Sequence, residues 1–167
     1  MEYSNHTGHL VISTGNKSEI SVGYTTLYGD TTGGFNIIGD VYKTQVYLIA
    51  AYLNQAFGKT LVPQSIIDRV PTAELAKDQK DTDSLPPYEE LDPILKLYIE
   101  GDLLQDKDRN ECLEAIKLVP QETIHKVHRM VQAAEFKRRQ SPPILRVMRR
   151  SFGIGRRMPI SAKYLVG

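Results

Sequence analysis

The sequence predicts an α/β fold in which helices dominate and one or two parallel strands form the sheet. Three observations lead there. Residues 9–13, His-Leu-Val-Ile-Ser, are short, apolar and β-rich, as a buried strand of a parallel sheet is. A polar turn at residues 14–17 leads from that run into a helix, the strand–turn–helix order of an α/β unit. Beyond residue 40 the readable segments are helical, the clearest being a stripe of Tyr42, Val46, Ile49, Leu53 and Ala56 in steps of four and three.

Taken in order, the strand at 9–13 follows Gly8, and Ser18 opens the helix behind it. In open parallel sheets ligands bind at the carboxyl ends of strands, which is where the turn at 14–17 lies. Three glycines within 29–34 make that stretch a loop. Asp40 is expected to cap the helix that carries the apolar stripe, and Gly58 stops it. Lys43 falls in its first turn, off the stripe and free to reach a ligand. Residues 63–70 form a short helix with Pro63 in its first turn. Residues 71–87 are polar, acidic and aperiodic, and are expected to be a long loop. Asp92-Pro93 caps a helix to Ile99, ended by Gly101, unless it starts earlier, at Pro87, with Pro93 as a kink. Two further helices span 108–117 and 120–138, the second with Ile124, Val127, Val131 and Ala134 on one face. Residues 141–167, rich in Pro, Gly and Arg, are expected to be an irregular basic tail.

A chain of 167 residues has room for one domain with an apolar core. With 41% hydrophobic and 25% charged residues it has the balance of a soluble globular protein. Its longest mostly apolar run, 46–53, is far below the roughly 20 residues a membrane helix needs. With no secretory signal and the single Cys112, the expected location is the cytoplasm. The net charge of +1 hides an asymmetry. Residues 126–157 hold ten Lys or Arg against Glu135, whereas 74–92 hold seven acids against Lys77 and Lys80. The basic end implies an anionic partner, whether nucleic acid, phosphate esters or the acidic segment itself.

The run Thr14-Gly15-Asn16-Lys17-Ser18-Glu19 ends a strand. Its glycine permits close backbone approach to a ligand, and an ordinary capped turn is an equal reading of these six residues. If Glu19 faces a phosphate, Mg²⁺ between the two is the natural inference. Lys43 and Thr72 each have a plain surface or turn reading as well. His125 and His128 are three apart on one helical face, but no third ligand stands at a suitable offset. No Gly-x-Ser-x-Gly elbow or Walker-type loop occurs.

Together, Ser4-Asn5 and residues 10–19, 22–30, 33–36, 39–44, 71–75, 79–83, 87–92 and 136–140, with Arg156-Arg157, closely resemble the glutamine-dependent NAD synthetases. The resemblance spans nearly the whole chain in the family's order. It implies the C-terminal part of an ATP-pyrophosphatase synthetase domain, with a Rossmann-like adenine-nucleotide alpha-hydrolase fold. The implied reaction is amidation of deamido-NAD: ATP adenylates the nicotinate carboxylate, and ammonia, from glutamine, displaces AMP. By the resemblance Thr14 contacts ATP and Glu19 holds Mg²⁺. Lys43 and Thr72 bind the departing phosphates as the catalytic pair. Tyr24, Leu27 and Asp30 meet deamido-NAD, with Lys137 and Arg138 as a basic pair closing on the nucleotide. The acidic stretch 74–83 resembles a loop that orders over the site. These roles suit the charge asymmetry without nucleic acid, and the family implies a homo-oligomer. The family's Ser-Gly-Gly-x-Asp-Ser loop does not occur in this chain, nor does a glutaminase domain, so residues 1–167 are expected to be a partial synthetase domain, inactive alone. The alternative is a non-catalytic module that binds RNA or another polyanion through residues 138–157.

Overall fold

The computed structural model describes residues 1–72 and 79–160. Residues 73–78, which include the first half of the acidic stretch 74–83, and 161–167 lie outside the described residues. The order is α1 (Glu2–Thr7), β1 (Ile12–Ser13), α2 (Lys17–Val22), β2 (Phe35–Asn36), α3 (Lys43–Ala56), α4 (Gln64–Ile67), α5 (Tyr88–Ile99), α6 (Asp106–Ala115), α7 (Gln121–Ala133) and α8 (Glu135–Arg138). The α/β class is as expected, mostly helical with two parallel strands. Ile12 pairs with Phe35 and Ser13 with Asn36, with α2 in the crossover. No helix among the described residues is long and apolar enough to cross a membrane.

Helix α5 is the centre of the core. Leu91, Ile94, Leu95 and Ile99 are fully buried among Ile20 and Val22 of α2, Val127 and Val131 of α7, and Tyr42. On α7 the expected face is the buried one, since Val127, Val131 and Ala134 are all inside. The apolar stripe of α3 behaves differently. Tyr42, just before the helix, is buried, but no residue of α3 itself is, and Leu48 and Tyr52 are about two-thirds exposed.

Several expected boundaries are corrected. Helix α2 starts a residue before Ser18 and is capped by Asn16, whose side chain accepts from Glu19 N–H while Glu19 accepts from Asn16 N–H. Helix α5 takes the earlier start after Pro87 and keeps Pro93 within its first turns. Pro93, the sixth residue, lies beyond the four N–H groups that lack an intrahelical acceptor, so it costs the helix one i→i−4 bond, to Glu89 O. Asp92, freed from capping its own helix, caps α3 instead. The expected loop 71–87 contains a 3₁₀ turn at Asp81–Asp83. The segment after Pro120 breaks at Ala134 into α7 and α8. The helix α1 and the strand β2 had no clear sequence signal.

The basic tail, irregular as expected, is also built into the fold. Asn36 N–H donates to Pro143 O, Leu145 N–H donates to Asn36 O, and Ile144 bridges Asn36 in parallel. The tail thus extends the sheet beyond β2. Asp40 does not cap α3, as the sequence suggested; the N-cap is Tyr42. Asp40 Oδ2 accepts from Val147 N–H, Met148 N–H and Ser151 Oγ at 2.8, 2.7 and 2.6 Å. Arg149 and Arg150 donate to Leu103 O and Ile99 O at the end of α5, so part of the tail's charge satisfies helix carbonyls.

Candidate functional site

The turn 14–19 is held by a buried ion network. Lys17 is fully buried, with Nζ 3.0 Å from Asp40 Oδ1, 3.2 Å from Glu100 Oε1 and 2.8 Å from Arg150 O. Tyr42 OH donates to the same Glu100 oxygen at 2.9 Å, and the Lys17 ammonium lies 4.8 Å from the Tyr42 ring centre. Lys17 N–H donates to Val41 O, and Asn36 Nδ2 donates to Gly15 O at 2.8 Å. Sequence reading put Lys17 in the site motif, and its side chain is framework. The side chains left facing out from this turn are those of Thr14, which is exposed, and Glu19.

These two line a cleft of about 260 Å³ together with Gly15, Tyr24, Thr25, Asp30, Thr72 and Asp81. Five expected site residues (Thr14, Glu19, Tyr24, Asp30 and Thr72) therefore meet in one concavity. Lys43 stands at its edge, 3.4 Å from Glu19 Oε1, and with Thr72 lines the adjoining apolar groove beside α3. A smaller recess shares Tyr24, Thr25 and Asp30 and reaches Lys137.

The remaining two are placed elsewhere. Leu27 sits half-buried on the turn between Tyr24 and Asp30 and does not line the cleft. Arg138 donates to Ser21 O at 2.7 Å, to Val131 O at 2.5 Å and to Glu135 Oε2 at 3.0 Å, and stacks 4.6 Å from the Phe152 ring centre. Its neighbour Lys137 donates to Gly23 O and Thr25 O, both at 2.7 Å. The pair fastens α8 to the end of α2 and so fixes the backbone that carries Tyr24 and Thr25.

The electrostatics of the cleft are acidic. Burial raises the Glu19 carboxyl above its ordinary range, against the lowering by Lys43 and the Asn16 cap. Burial, and then the charge of Asp81, raises the Tyr24 phenol. Glu19 is thus a carboxylate whose burial Lys43 and the cap only partly offset. No group of three or more His, Cys, Asp or Glu suited to a metal occurs among the described residues. A Mg²⁺ ion here would take one protein carboxylate and draw its other oxygens from phosphate and water, an arrangement that ion favours. Glu19 fits that role. Asp81 and Thr25 are the cleft residues sequence reading did not single out. Asp81 lay inside the acidic loop, where nothing marked one carboxylate from the next.

Comparison with known proteins gives the family. Residues 1–141 match the family described as NAD synthase. The glutamine-dependent NAD(+) synthetases of Synechocystis and Thermotoga maritima are each 46% identical to the chain over 164 residues, 98% of its length. The chain spans 28% and 27% of their respective lengths. A solved glutamine-dependent NAD(+) synthetase from Cytophaga hutchinsonii superposes with a TM-score of 0.70 at 22% identity, covering 96% of this chain and 26% of that one, which gives the adenine-nucleotide alpha-hydrolase fold. With the family match running through the whole of the cleft, this chain belongs to the NAD synthase family.

Proposed function

We propose that this chain forms one wall of the nucleotide site of an NAD synthetase, a ligase that amidates deamido-NAD at the expense of ATP. The observation that carries it is the convergence of Thr14, Glu19, Tyr24, Asp30 and Thr72 on one cleft, with Lys43 at its edge. A carboxylate resists attack by ammonia, so it must first be activated, here as an adenylate. The protein's task is to hold two anions in line and stabilise charge on the leaving pyrophosphate.

In this reading Thr14 contacts ATP, and Lys43 and Thr72 take the phosphates as they separate. Glu19 would hold Mg²⁺, whose chemistry is neutralisation of phosphate charge. Tyr24 and Asp30 bind deamido-NAD, with Leu27 on the turn between them; Lys137 reaches the same recess and Arg138 holds it in place. Ammonia comes from glutamine, hydrolysed by a separate glutaminase domain. ATP as substrate argues for the cytoplasm, and the exposed apolar side chains of α3 suit a homo-oligomer of the complete enzyme.

Residues 1–167 are then a partial synthetase domain, with 141–167 its basic tail, and the polypeptide does not make NAD alone. The phosphate-binding Ser-Gly-Gly-x-Asp-Ser does not occur in it. Calorimetry with Mg–ATP should show saturable binding that needs Mg²⁺ and weakens at least tenfold in Lys43→Ala, roughly the worth of one charge-assisted hydrogen bond. ATP, Mg²⁺, deamido-NAD and ammonia together should give no turnover. Binding that ignores Mg²⁺ and Lys43 yet falls steeply with salt would replace this reading by polyanion binding.

A further inference from the structure

A second concavity, of about 430 Å³, lies between α8 and the tail and shares no lining residue with the cleft. Its walls are apolar: Ile20, Pro142, Pro143, Ile144 and Phe152. Its charges are four arginines, Arg138, Arg139, Arg156 and Arg157, against the single acid Glu135. Glu135 is used up within the fold, with Oε2 accepting from Arg138 at 3.0 Å and Oε1 from Arg139 at 2.8 Å. Arg156 and Arg157 have no salt bridge among the described residues. The Nε of Arg156 is buried with no hydrogen-bond partner among them. Arg138 registers the surplus: it is held below its ordinary value, first by burial and, despite Glu135, also by the charge of Arg156.

Arg156 is fixed in place. Its guanidinium lies 5.0 Å from the Tyr98 ring centre, and Tyr98 is itself held by a stacked His128 at 4.1 Å and by Gln132, which donates to its hydroxyl at 2.9 Å. The turn that carries Arg156 is closed by an antiparallel bridge to Gly153, which adopts φ 84°. A Cβ at Gly155 would lie 2.6 Å from Ser151 O, so the tight turn needs glycine there.

A guanidinium stacked through its face keeps its edge donors for an oxyanion in the plane of the fork. A buried N–H without an acceptor is costly, and a ligand can supply that acceptor. Two guanidiniums without an acid call for two negative charges; a carboxylate brings one, and a phosphate monoester brings nearly two at neutral pH. The apolar walls leave the rest of the ligand a compact apolar body, and the volume falls within the roughly 300–1,000 Å³ of small-ligand pockets. RNA would ask for aromatic stacking platforms along a charged groove, and Phe152 is buried with its ring 4.6 Å from Arg138.

We infer that this concavity is a second ligand site, for a phosphate monoester with a compact apolar body. Its phosphate sits on Arg156 and Arg157, and its body lies against Ile20, Pro143 and Ile144.

The test is a titration of the ¹⁵N-labelled 167-residue chain with phenyl phosphate, followed by NMR at fixed pH and ionic strength. Saturable shifts centred on Ile144, Gly153 and Arg156 are expected. Inorganic phosphate, which lacks the body, should bind several-fold more weakly, and benzoate, which lacks the second charge, roughly tenfold more weakly. Arg156→Ala should raise the Kd for phenyl phosphate roughly tenfold, and Arg156→Lys, which keeps the charge without the fork, several-fold. Shifts centred on Gly15 and Thr25, equal affinity for benzoate, or an unchanged Kd in a folded Arg156→Ala would overturn the assignment. So would an RNA oligonucleotide that moves the same amides at lower concentration and loses affinity steeply with salt. If Arg156→Ala does not fold, Arg157→Ala, at an exposed position, and the wild-type ligand series decide.

Discussion

Ser18 Oγ donates a 2.5 Å hydrogen bond to Asp92 Oδ1 while accepting one from Lys43 N–H at 2.9 Å. Asp92 Oδ2 accepts from Thr44 N–H and Thr44 Oγ1 at 2.9 and 2.7 Å. Residues from α2 and α5 thus satisfy the first donors of α3, and the helix that presents Lys43 is capped from outside its own sequence. Asp92→Ala should cost roughly 2–4 kcal/mol, since it strips a cap and leaves a buried hydroxyl and an N–H unpaired. Urea unfolding measures it; a loss below about 0.5 kcal/mol would show that α3 does not depend on this cap.

Lys17→Met should be more damaging, by about 3–5 kcal/mol, because Asp40 and Glu100 would then be buried without their shared cation. The double replacement Lys17→Met with Glu100→Gln should recover part of that loss. If the two changes simply add in thermal unfolding, the network is not coupled.

Gly23 ends α2 at φ 71°, a left-handed conformation, and a Cβ there would lie 2.7 Å from Ala134 Cβ. Gly23→Ala is expected to lose about 1–3 kcal/mol from backbone strain and crowding together. Lys137 donates to Gly23 O, so the change should also disturb Thr25. Amide exchange at Thr25 faster than in the parent chain would register this, and an unaltered rate would separate the two.

Glu135 gives a pH dependence of definite sign. Burial would raise its carboxyl, but Arg139, Arg138 and the Met158 N–H outweigh burial and hold it below the ordinary range. A folded value below the unfolded one means stability that is present above the unfolded pKa and lost as pH falls through the folded one. Glu135→Gln should therefore lower the melting temperature at pH 7 and matter little near pH 2. An equal loss at both pH values would rule out the charge as the cause.

What the sequence could disclose was local. The Lys43 helix and the buried face of α7 follow from periodicity and turn residues, which act within a few positions, whereas the buried strand expected over 9–13 is only Ile12–Ser13, with Leu10 and Ile12 exposed. The family resemblance picked out Thr14, Glu19, Tyr24, Asp30 and Thr72 before any geometry joined them. The misses are long-range. Asp40 and Asp92 each have the residue type and position of a helix cap, yet one holds Val147, Met148 and Ser151 and the other caps a helix 48 residues upstream. The stripe on α3 has perfect spacing, but spacing says only that a face is apolar, not that this chain covers it. Arg138 has the charge of a phosphate ligand, and its surroundings turned that charge to backbone carbonyls.

The contact between Lys17 Nζ and Arg150 O has a further bearing, on the time at which the fold is completed. A loop of that span is closed late, since distant contacts must wait for the chain between them to be ordered. During synthesis Lys17 leaves the ribosome 133 residues ahead of Arg150, and the turn bearing Thr14 and Glu19 cannot be locked until that segment follows. In that interval the chain carries an incompletely buried lysine beside the place where its finished cleft will stand. A ribosome-stalled series should show protease protection of residues 14–19 appearing only once residue 151 is exposed.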